Sequence, residues 1–236
     1  MMANGKTALA VIVSMGLTGC GDADVASVKR SGPSAPIEAE APVVQGEQRT
    51  IVAFGDSLFA GYNVAKDDAY PAVLQNALRA RGINAQVVNA GVSGDTSRAG
   101  LDRLNFILDA KPTPPDLFIL ELGGNDLLRG LSPSETRANL AAIIEEVQGR
   151  GIDIILFGLS APPNLGAEYL KAFSDVFVSL SEEYDVPLVA NWIESVADRP
   201  DLIQSDRIHP TEKGIARLVE ATVDEVEAAL PPPTES

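Results

Sequence analysis

The chain has 236 residues, 45% of them hydrophobic and 22% charged, so it is long enough for one α/β domain with an appended segment and too apolar to be disordered throughout. Its formal net charge is −15 and its sequence has no cluster of Lys and Arg, which argues against a nucleic-acid partner. The single cysteine, Cys20, excludes an intramolecular disulfide bond, and the single histidine, His209, is the only imidazole available for chemistry.

Residues 1–20 have the pattern of a targeting segment. A positive charge at Lys6 precedes an apolar run, Ala8 to Leu17, that is too short for an ordinary membrane span. The run ends in Leu17-Thr18-Gly19-Cys20, which resembles the lipobox of bacterial lipoproteins. That resemblance implies a protein of the bacterial cell envelope, anchored on the periplasmic side by lipid on Cys20. The alternative is an ordinary cleaved signal with a chance cysteine, and then a soluble periplasmic or secreted protein.

The predicted domain spans residues 49–230, and the segments on either side of it are predicted to lack regular secondary structure. Residues 21–48 are rich in Ala, Pro, Ser, Gly and Glu, show no apolar periodicity, and predict a flexible tether. A coil of that length spans roughly 30 Å, enough to hold a domain off a bilayer. Residues 231–236, three prolines followed by polar residues, are predicted to be a disordered tail.

Within the domain, short β-branched runs alternate with longer helical patterns. The predicted strands are Thr50–Phe54, Gln86–Asn89, Leu117–Leu122, Ile152–Phe157 and Val186–Ala190. The predicted helices span Ala69–Arg81, begin at Ser97, begin at the capping box Ser132-Pro133-Ser134-Glu135, span Ala167–Tyr184, and span Pro210–Leu230. No hairpin signal joins neighbouring strands. The pattern therefore predicts a three-layer α/β/α sandwich around a five-stranded parallel sheet of flavodoxin-like order.

The first predicted strand breaks at Gly55-Asp56-Ser57 into a turn with a serine at its tip. Ligands of such folds bind at the carboxyl ends of the strands, where Ser57 lies. A serine hydroxyl becomes a nucleophile when a base removes its proton. On these residues alone, a plain turn is an equally good interpretation, because the same residue types are common in turns.

A base is available just before the last helix, in Asp206-Arg207-Ile208-His209-Pro210. The spacing allows the Asp206 carboxylate to hold one imidazole nitrogen while the other faces Ser57. The alternative is a surface histidine beside a helix cap formed by Asp206 or Thr211.

Two further loops offer hydrogen-bond donors for an oxyanion. Gly94, in the loop Gly91–Thr96, allows close approach of a backbone N–H, and Asn125, in Gly123–Asp126, carries a neutral amide donor. Each loop is also interpretable as an ordinary turn after a strand. The sequence shows no cluster of His, Cys and carboxylates, no phosphate loop and no dinucleotide fingerprint, so neither a metal nor a cofactor is predicted.

In this order, the motifs resemble the four blocks of the SGNH, or GDSL, hydrolase family: GDSL at Gly55–Leu58, the glycine block at Gly94, GGND at Gly123–Asp126, and D-x-x-H-P at Asp206–Pro210. The phrases GDSLFAGY, NAGVSGDTS and ELGGNDLLRG resemble most the bacterial multifunctional arylesterase, thioesterase and lysophospholipase subgroup. The resemblance covers about residues 50–230.

The resemblance implies a serine hydrolase that cleaves carboxylic esters through an acyl-enzyme, acting on small-molecule aryl or short-to-medium acyl esters, thioesters or lysophospholipids. It implies Ser57 as the nucleophile, His209 as the general base and Asp206 as its orienting acid. It implies, as oxyanion donors, the N–H groups of Ser57 and Gly94 and the amide of Asn125. A carbohydrate O-deacetylase or acyltransferase of the same family, and a non-catalytic acyl- or glycan-binding lipoprotein, stay open, as does the oligomeric state.

Four apolar or aromatic residues near these blocks are predicted to contact substrate: Phe59, Tyr62, Leu127 and Leu128. Phe59 stands where the family often has a small or hydroxyl residue, so no chain-length preference is carried over. Packing of Phe59 and Tyr62 on the core is the alternative. Residues 127–133 resemble a mobile substrate loop of the subgroup, against the alternative of an ordinary helix entry.

Overall fold

The computed structural model describes residues 44–110, 112–160 and 165–232, and its centre is a five-stranded parallel sheet. The strands are β1 (Arg49–Gly55), β2 (Ala85–Gly91), β3 (Leu117–Glu121), β4 (Asp153–Phe157) and β5 (Leu188–Val189). They lie in the order β2-β1-β3-β4-β5, and every neighbouring pair is parallel. The predicted sheet and its flavodoxin-like order are confirmed.

Eight α-helices connect or follow the strands of the described chain. They are α1 (Ser57–Ala60), α2 (Tyr70–Ala80), α3 (Ser97–Leu108), α4 (Gly124–Leu128), α5 (Pro133–Gly149), α6 (Ala167–Tyr184), α7 (Glu194–Ala197) and α8 (Glu212–Ala229). The five long helices are those that the sequence predicts. The short helices α1, α4 and α7 were not predicted, because four or five residues are too few to show a 3.6-residue apolar period.

The helices form two packed groups, with α2 against α8, and α5 against both α3 and α6. The apolar residues of the central strands are buried, as expected for a parallel sheet that is covered on both faces. Strand β3 is buried at all five positions, and four of them are apolar; the fifth is Glu121. Ser132 caps α5 as predicted, because its hydroxyl accepts a hydrogen bond from the N–H of Glu135 at 3.2 Å.

The strand register brings the ends of three strands to one edge of the sheet. Gly55, the last residue of β1, pairs with Gly91 of β2 and with Glu121 of β3. The loops that follow these three strands carry Ser57, Gly94 and Asn125, so the topology alone places the three motifs side by side.

The predicted targeting segment 1–20, most of the predicted tether, and residues 233–236 of the predicted tail lie outside the described residues. Within the described ranges, no helix is both long and apolar enough to cross a membrane.

Candidate active site

Ser57 is the first residue of α1 and sits directly past the end of β1. The turn is held by Asp56, whose side-chain Oδ1 accepts a hydrogen bond from the N–H of Leu58 at 3.0 Å and thereby caps the helix. Gly55 is required just before it, because a Cβ there would lie 2.6 Å from the Oε2 atom of Glu121. The local sequence Gly-Asp-Ser therefore fixes where the hydroxyl of Ser57 is presented.

His209 and Asp206 meet Ser57 in a chain of two hydrogen bonds. The Nε2 atom of His209 lies 2.8 Å from the Oγ atom of Ser57, although the two residues are 152 positions apart in the sequence. The Nδ1 atom of His209 lies 2.7 Å from the Oδ2 atom of Asp206. The structure thus brings together the three residues that the sequence singled out, in the order that proton removal from a serine needs.

Asp206 is held in its ionised form. Desolvation raises the pKa of Asp206, but the hydrogen bonds from the ring of His209 and from the N–H groups of Ile208 and His209 outweigh it and bring this pKa down to about 2. Both N–H groups donate to the Oδ1 atom of Asp206 at 3.0 Å, which leaves Oδ2 for the imidazole. A carboxylate in this state can orient the imidazole and stabilise its protonated form.

The loop that carries His209 is closed by Gln204, a residue that the sequence analysis did not identify. An antiparallel bridge joins Ile203 and Pro210 at the base of this loop. The N–H of Gln204 donates to the carbonyl of His209 at 2.7 Å, and its side-chain Nε2 donates to the carbonyls of Tyr62 and Pro210, both at 2.9 Å. Gln204 therefore ties the histidine loop to the segment that follows the helix of the serine.

Tyr62 lies against the imidazole, with ring centroids 4.3 Å apart, and its side chain is 43% exposed. Leu128, at the end of α4, is also exposed, whereas Leu127 is only partly buried and packs on the core. Contact of these three residues with substrate stays a prediction, as does movement of residues 127–133.

The prediction that Phe59 contacts substrate is wrong. Its side chain is fully buried, stacks on Tyr70 with ring centroids 5.0 Å apart, and meets Phe157 and Trp192 edge-on. Successive residues of an α-helix turn by about 100°, so Phe59, two positions after Ser57 in α1, points away from the hydroxyl and into the core.

Asn125, the second residue of α4, faces the same turn. Its Nδ2 atom donates one hydrogen bond to the Oδ2 atom of Asp56 at 2.9 Å. An amide nitrogen carries two hydrogens, so the second remains available to another acceptor. Desolvation by burial raises the pKa of Asp56 to about 6, against the lowering effect of the hydrogen bonds from Leu58 and Asn125. Asp56 is therefore ionised at slightly alkaline pH and orients the amide.

Two backbone donors accompany this amide. The N–H of Ser57 is at the first position of α1 and so has no acceptor within its own helix. Gly94 adopts a positive φ of 88°, and its carbonyl accepts a hydrogen bond from Nη2 of Arg129 at 2.7 Å. The N–H of Gly94 makes no hydrogen bond with the residues that the structure describes. All three predicted oxyanion donors are therefore free to act, and that role stays a prediction.

Asp126 stabilises the packing of α4, the helix that carries Asn125, and the geometry indicates no catalytic role for it. It is fully buried, and its carboxylate accepts hydrogen bonds from the N–H and hydroxyl of Ser97 and from the hydroxyl of Thr136. These contacts join α4 to α3 and α5. Across residues 44–110, 112–160 and 165–232, no group of three or more His, Cys, Asp and Glu side chains is arranged to hold a metal ion.

Comparison with known proteins gives one family and several similar enzymes. Residues 53–217 match the model of the GDSL-like Lipase/Acylhydrolase family. The chain is 36% identical over 176 residues to Esterase TesA of Pseudomonas aeruginosa, covering 75% of this chain and 87% of that protein. It is 40% identical over 161 residues to Thioesterase 1/protease 1/lysophospholipase L1 of Escherichia coli K12, covering 68% of this chain and 75% of that protein.

A solved structure gives the same result for the fold. The crystal structure of AlinE4, a SGNH-hydrolase family esterase, is 58% identical to this chain and superposes with a TM-score of 0.67. The match covers 80% of this chain and all of that one. The fold and the ester-hydrolase relationship thus agree with the arrangement of Ser57, His209 and Asp206.

Proposed function

The chain belongs to the GDSL-like Lipase/Acylhydrolase family and is a carboxylic ester hydrolase, and from this premise we propose that Ser57 is its nucleophile, His209 its general base and Asp206 the acid that orients the base. The observation that carries the assignment is the unbroken hydrogen-bonded chain of these three side chains, with separations of 2.8 and 2.7 Å. His209 is the only histidine of the chain, so no second imidazole competes for the role.

The reaction proceeds in two halves. The Oγ atom of Ser57 attacks the ester carbonyl while Nε2 of His209 takes its proton, and the oxyanion that forms accepts hydrogen bonds from Ser57 N–H, Gly94 N–H and the amide of Asn125. The protonated imidazole then donates its proton to the departing alcohol, which leaves an acyl group on Ser57. Water, deprotonated by His209, attacks this acyl-enzyme, and the acid is released as the proton returns to Ser57.

The substrates that we propose are small aryl and short-to-medium acyl esters, with thioesters and lysophospholipids as further members. The names of the relatives support this range, since one is an esterase and another a thioesterase and lysophospholipase. The exposed faces of Tyr62 and Leu128 beside the site offer apolar contact to an acyl or aryl group.

The function is tested by treating the full chain with a fluorophosphonate probe and by measuring its hydrolysis of p-nitrophenyl acetate. We expect labelling of Ser57, identified by mass spectrometry of the modified peptide, together with steady turnover of the ester. Covalent labelling of a different residue would contradict the assignment, and the lack of both labelling and turnover in a folded protein would contradict the hydrolase function itself.

We further propose that the protein is anchored in the cell envelope through lipid on Cys20. The support is the segment Leu17-Thr18-Gly19-Cys20 after a short apolar run. Replacing Cys20 with serine should abolish incorporation of labelled palmitate in a Gram-negative host and move the enzyme from the membrane to the soluble fraction, while Ser14→Ala should leave both unchanged. Palmitate incorporation that persists in Cys20→Ser would overturn this proposal.

A further inference from the structure

Glu121 is a buried carboxyl group for which the reaction above has no use. It ends β3 and is fully buried. Its Oε2 atom accepts a hydrogen bond from the N–H of Asp56 at 3.2 Å, and its Oε1 atom receives no hydrogen bond from the described residues. A single backbone donor stabilises a buried carboxylate poorly, so the ionised form of Glu121 is disfavoured.

Glu121 also lies against a second buried carboxyl group, that of Asp56. A hydrogen bond between the two carboxyl groups forms only if one of them carries a proton, and such a bond is one of the causes that raise the pKa of Glu121. Asp56 receives donors from Leu58 and Asn125, at 3.0 and 2.9 Å, whereas Glu121 has the single N–H described above. Burial raises the pKa of Glu121 well above its ordinary value, and the negative charge of Asp56 raises it further.

The other charged groups near the pair do not neutralise Glu121. His209 and Asp95 influence Asp56. Arg103 forms an ion pair with Asp95 at 2.6 Å and donates to the carbonyl of Gly55 at 3.0 Å. In the part of the chain that the structure describes, no Lys, Arg or His nitrogen lies within ion-pair distance of Glu121.

Glycines on both sides make room for the pair. A Cβ at Gly55 would lie 2.6 Å from the Oε2 atom of Glu121, and a Cβ at Gly124 would lie 3.2 Å from the Oδ2 atom of Asp56. Both glycines belong to the blocks that also carry Ser57 and Asn125. The two carboxyl groups are therefore packed between the nucleophile turn and the helix of the amide.

We propose that Glu121 is a positioning residue that keeps its proton at neutral pH and donates it in a hydrogen bond to the carboxylate of Asp56, which in turn orients Asn125. No proton is transferred, since Glu121 remains the donor throughout the reaction. The inference rests on the proposed function of Asn125 as an oxyanion donor. Glu121 does not touch the substrate in this proposal; it acts by holding Asp56 in place.

Two substitutions distinguish hydrogen-bond donation by Glu121 from a role in packing alone. Glu121→Gln keeps the shape, an N–H donor for Asp56 and an acceptor for the N–H of Asp56, so kcat for p-nitrophenyl acetate should stay within about 3-fold of wild type. Glu121→Met fills similar space without a donor, so kcat should fall about 10- to 100-fold with little change in KM, the size of loss that misplacing a catalytic group causes.

The pH profile supplies a second measurement. At alkaline pH the wild-type Glu121 loses its proton and two negative charges face each other, so Asp56 and Asn125 shift and kcat declines. Glu121→Gln has no proton of this kind to lose and should keep its kcat to higher pH. Equal alkaline declines in wild type and in Glu121→Gln would overturn the positioning role.

The proton itself is tested by infrared spectroscopy of the full chain at about pH 7.5, where Asp56, with a pKa of about 6, is ionised. Wild type should show the C=O stretch of a protonated carboxylic acid, Glu121→Gln should lack it, and the exposed control Glu168→Gln should retain it. A band that survives in Glu121→Gln would overturn the inference. This measurement needs no turnover, so it is independent of the proposed function. If the protein fails to hydrolyse esters, the proposed function is contradicted, but a band that is present in wild type and absent in Glu121→Gln still establishes the proton on Glu121.

Discussion

Replacing Ser57 with alanine should lower kcat for p-nitrophenyl acetate by about 10⁴- to 10⁶-fold while the protein stays folded. The Oγ atom of Ser57 is the only hydroxyl oxygen of the described residues that is hydrogen-bonded to His209, at 2.8 Å, so no neighbouring hydroxyl can replace it. The residual rate would come from binding and from the oxyanion donors, which this substitution leaves in place.

The control for this experiment is Ser134→Ala, at an exposed serine in the first turn of α5. It should match wild type in kcat, KM and fluorophosphonate labelling. Loss of one hydrogen bond should cost Ser57→Ala only about 1 kcal/mol in the free energy of unfolding, which circular dichroism during urea denaturation can check. A Ser57→Ala protein that keeps a tenth of the wild-type rate, or is still labelled, would show that another residue is the nucleophile.

The fold was predictable because it follows from local patterns, whereas the meeting of Ser57 with His209 was implied by the family resemblance of the motifs that carry them. Apolar runs and helical periods located the strands and the long helices, and the carboxyl edge of a parallel sheet gathers the loops that follow its strands. The D-x-x-H spacing then limited how Asp206 could meet His209. The main elements needed no information about distant contacts.

The residues that the sequence did not reveal depend on contacts between distant segments. Gln204 donates a hydrogen bond to the carbonyl of Tyr62, 142 positions away, and Glu121 accepts one from Asp56 across 65 positions. Tyr62, Asp56 and Glu121 lie in or beside the recognised blocks, but nothing in those blocks shows which residues they contact. Glu121 is the one charged residue of an otherwise apolar strand, which marks it as unusual but names no partner. Phe59 was misassigned because proximity to Ser57 in sequence says nothing about direction in a four-residue helix.

The carboxylate that orients Asn125 is maintained at a cost in stability. A buried Asp56 with a pKa of about 6, compared with 3.8 in an unfolded chain, binds its proton more tightly in the folded state. Its contribution to folding is therefore largest below about pH 4 and is lost as the pH rises through 6, by about 3 kcal/mol in all. The contact that this charge makes with the site is the hydrogen bond from the amide of Asn125 to the Oδ2 atom of Asp56 at 2.9 Å.

Replacing Asn125 with alanine should accordingly lower kcat for p-nitrophenyl acetate by about 100- to 1,000-fold with a much smaller effect on KM. The reason is that an oxyanion donor binds the negative oxygen of the transition state more strongly than the neutral carbonyl of the ester. The matched control is Asn105→Ala on α3, where an exposed amide oxygen accepts a hydrogen bond from Arg150 and lies outside the site. It should leave kcat unchanged.

The pH dependence of the loss in kcat distinguishes an oxyanion donor from a residue that only forms a hydrogen bond with Asp56. If Asn125 only satisfied the carboxylate, Asn125→Ala would destabilise the fold and raise the pKa of Asp56. Its kcat at about pH 9, where Asp56 is ionised in either case, would then approach the value of wild type at neutral pH. If its second N–H serves the oxyanion, the deficit persists at that pH, because no ionisation of Asp56 replaces a missing donor. Measuring kcat of both proteins from neutral to alkaline pH therefore decides whether the amide acts on the substrate, and a full recovery at high pH would remove Asn125 from the oxyanion site.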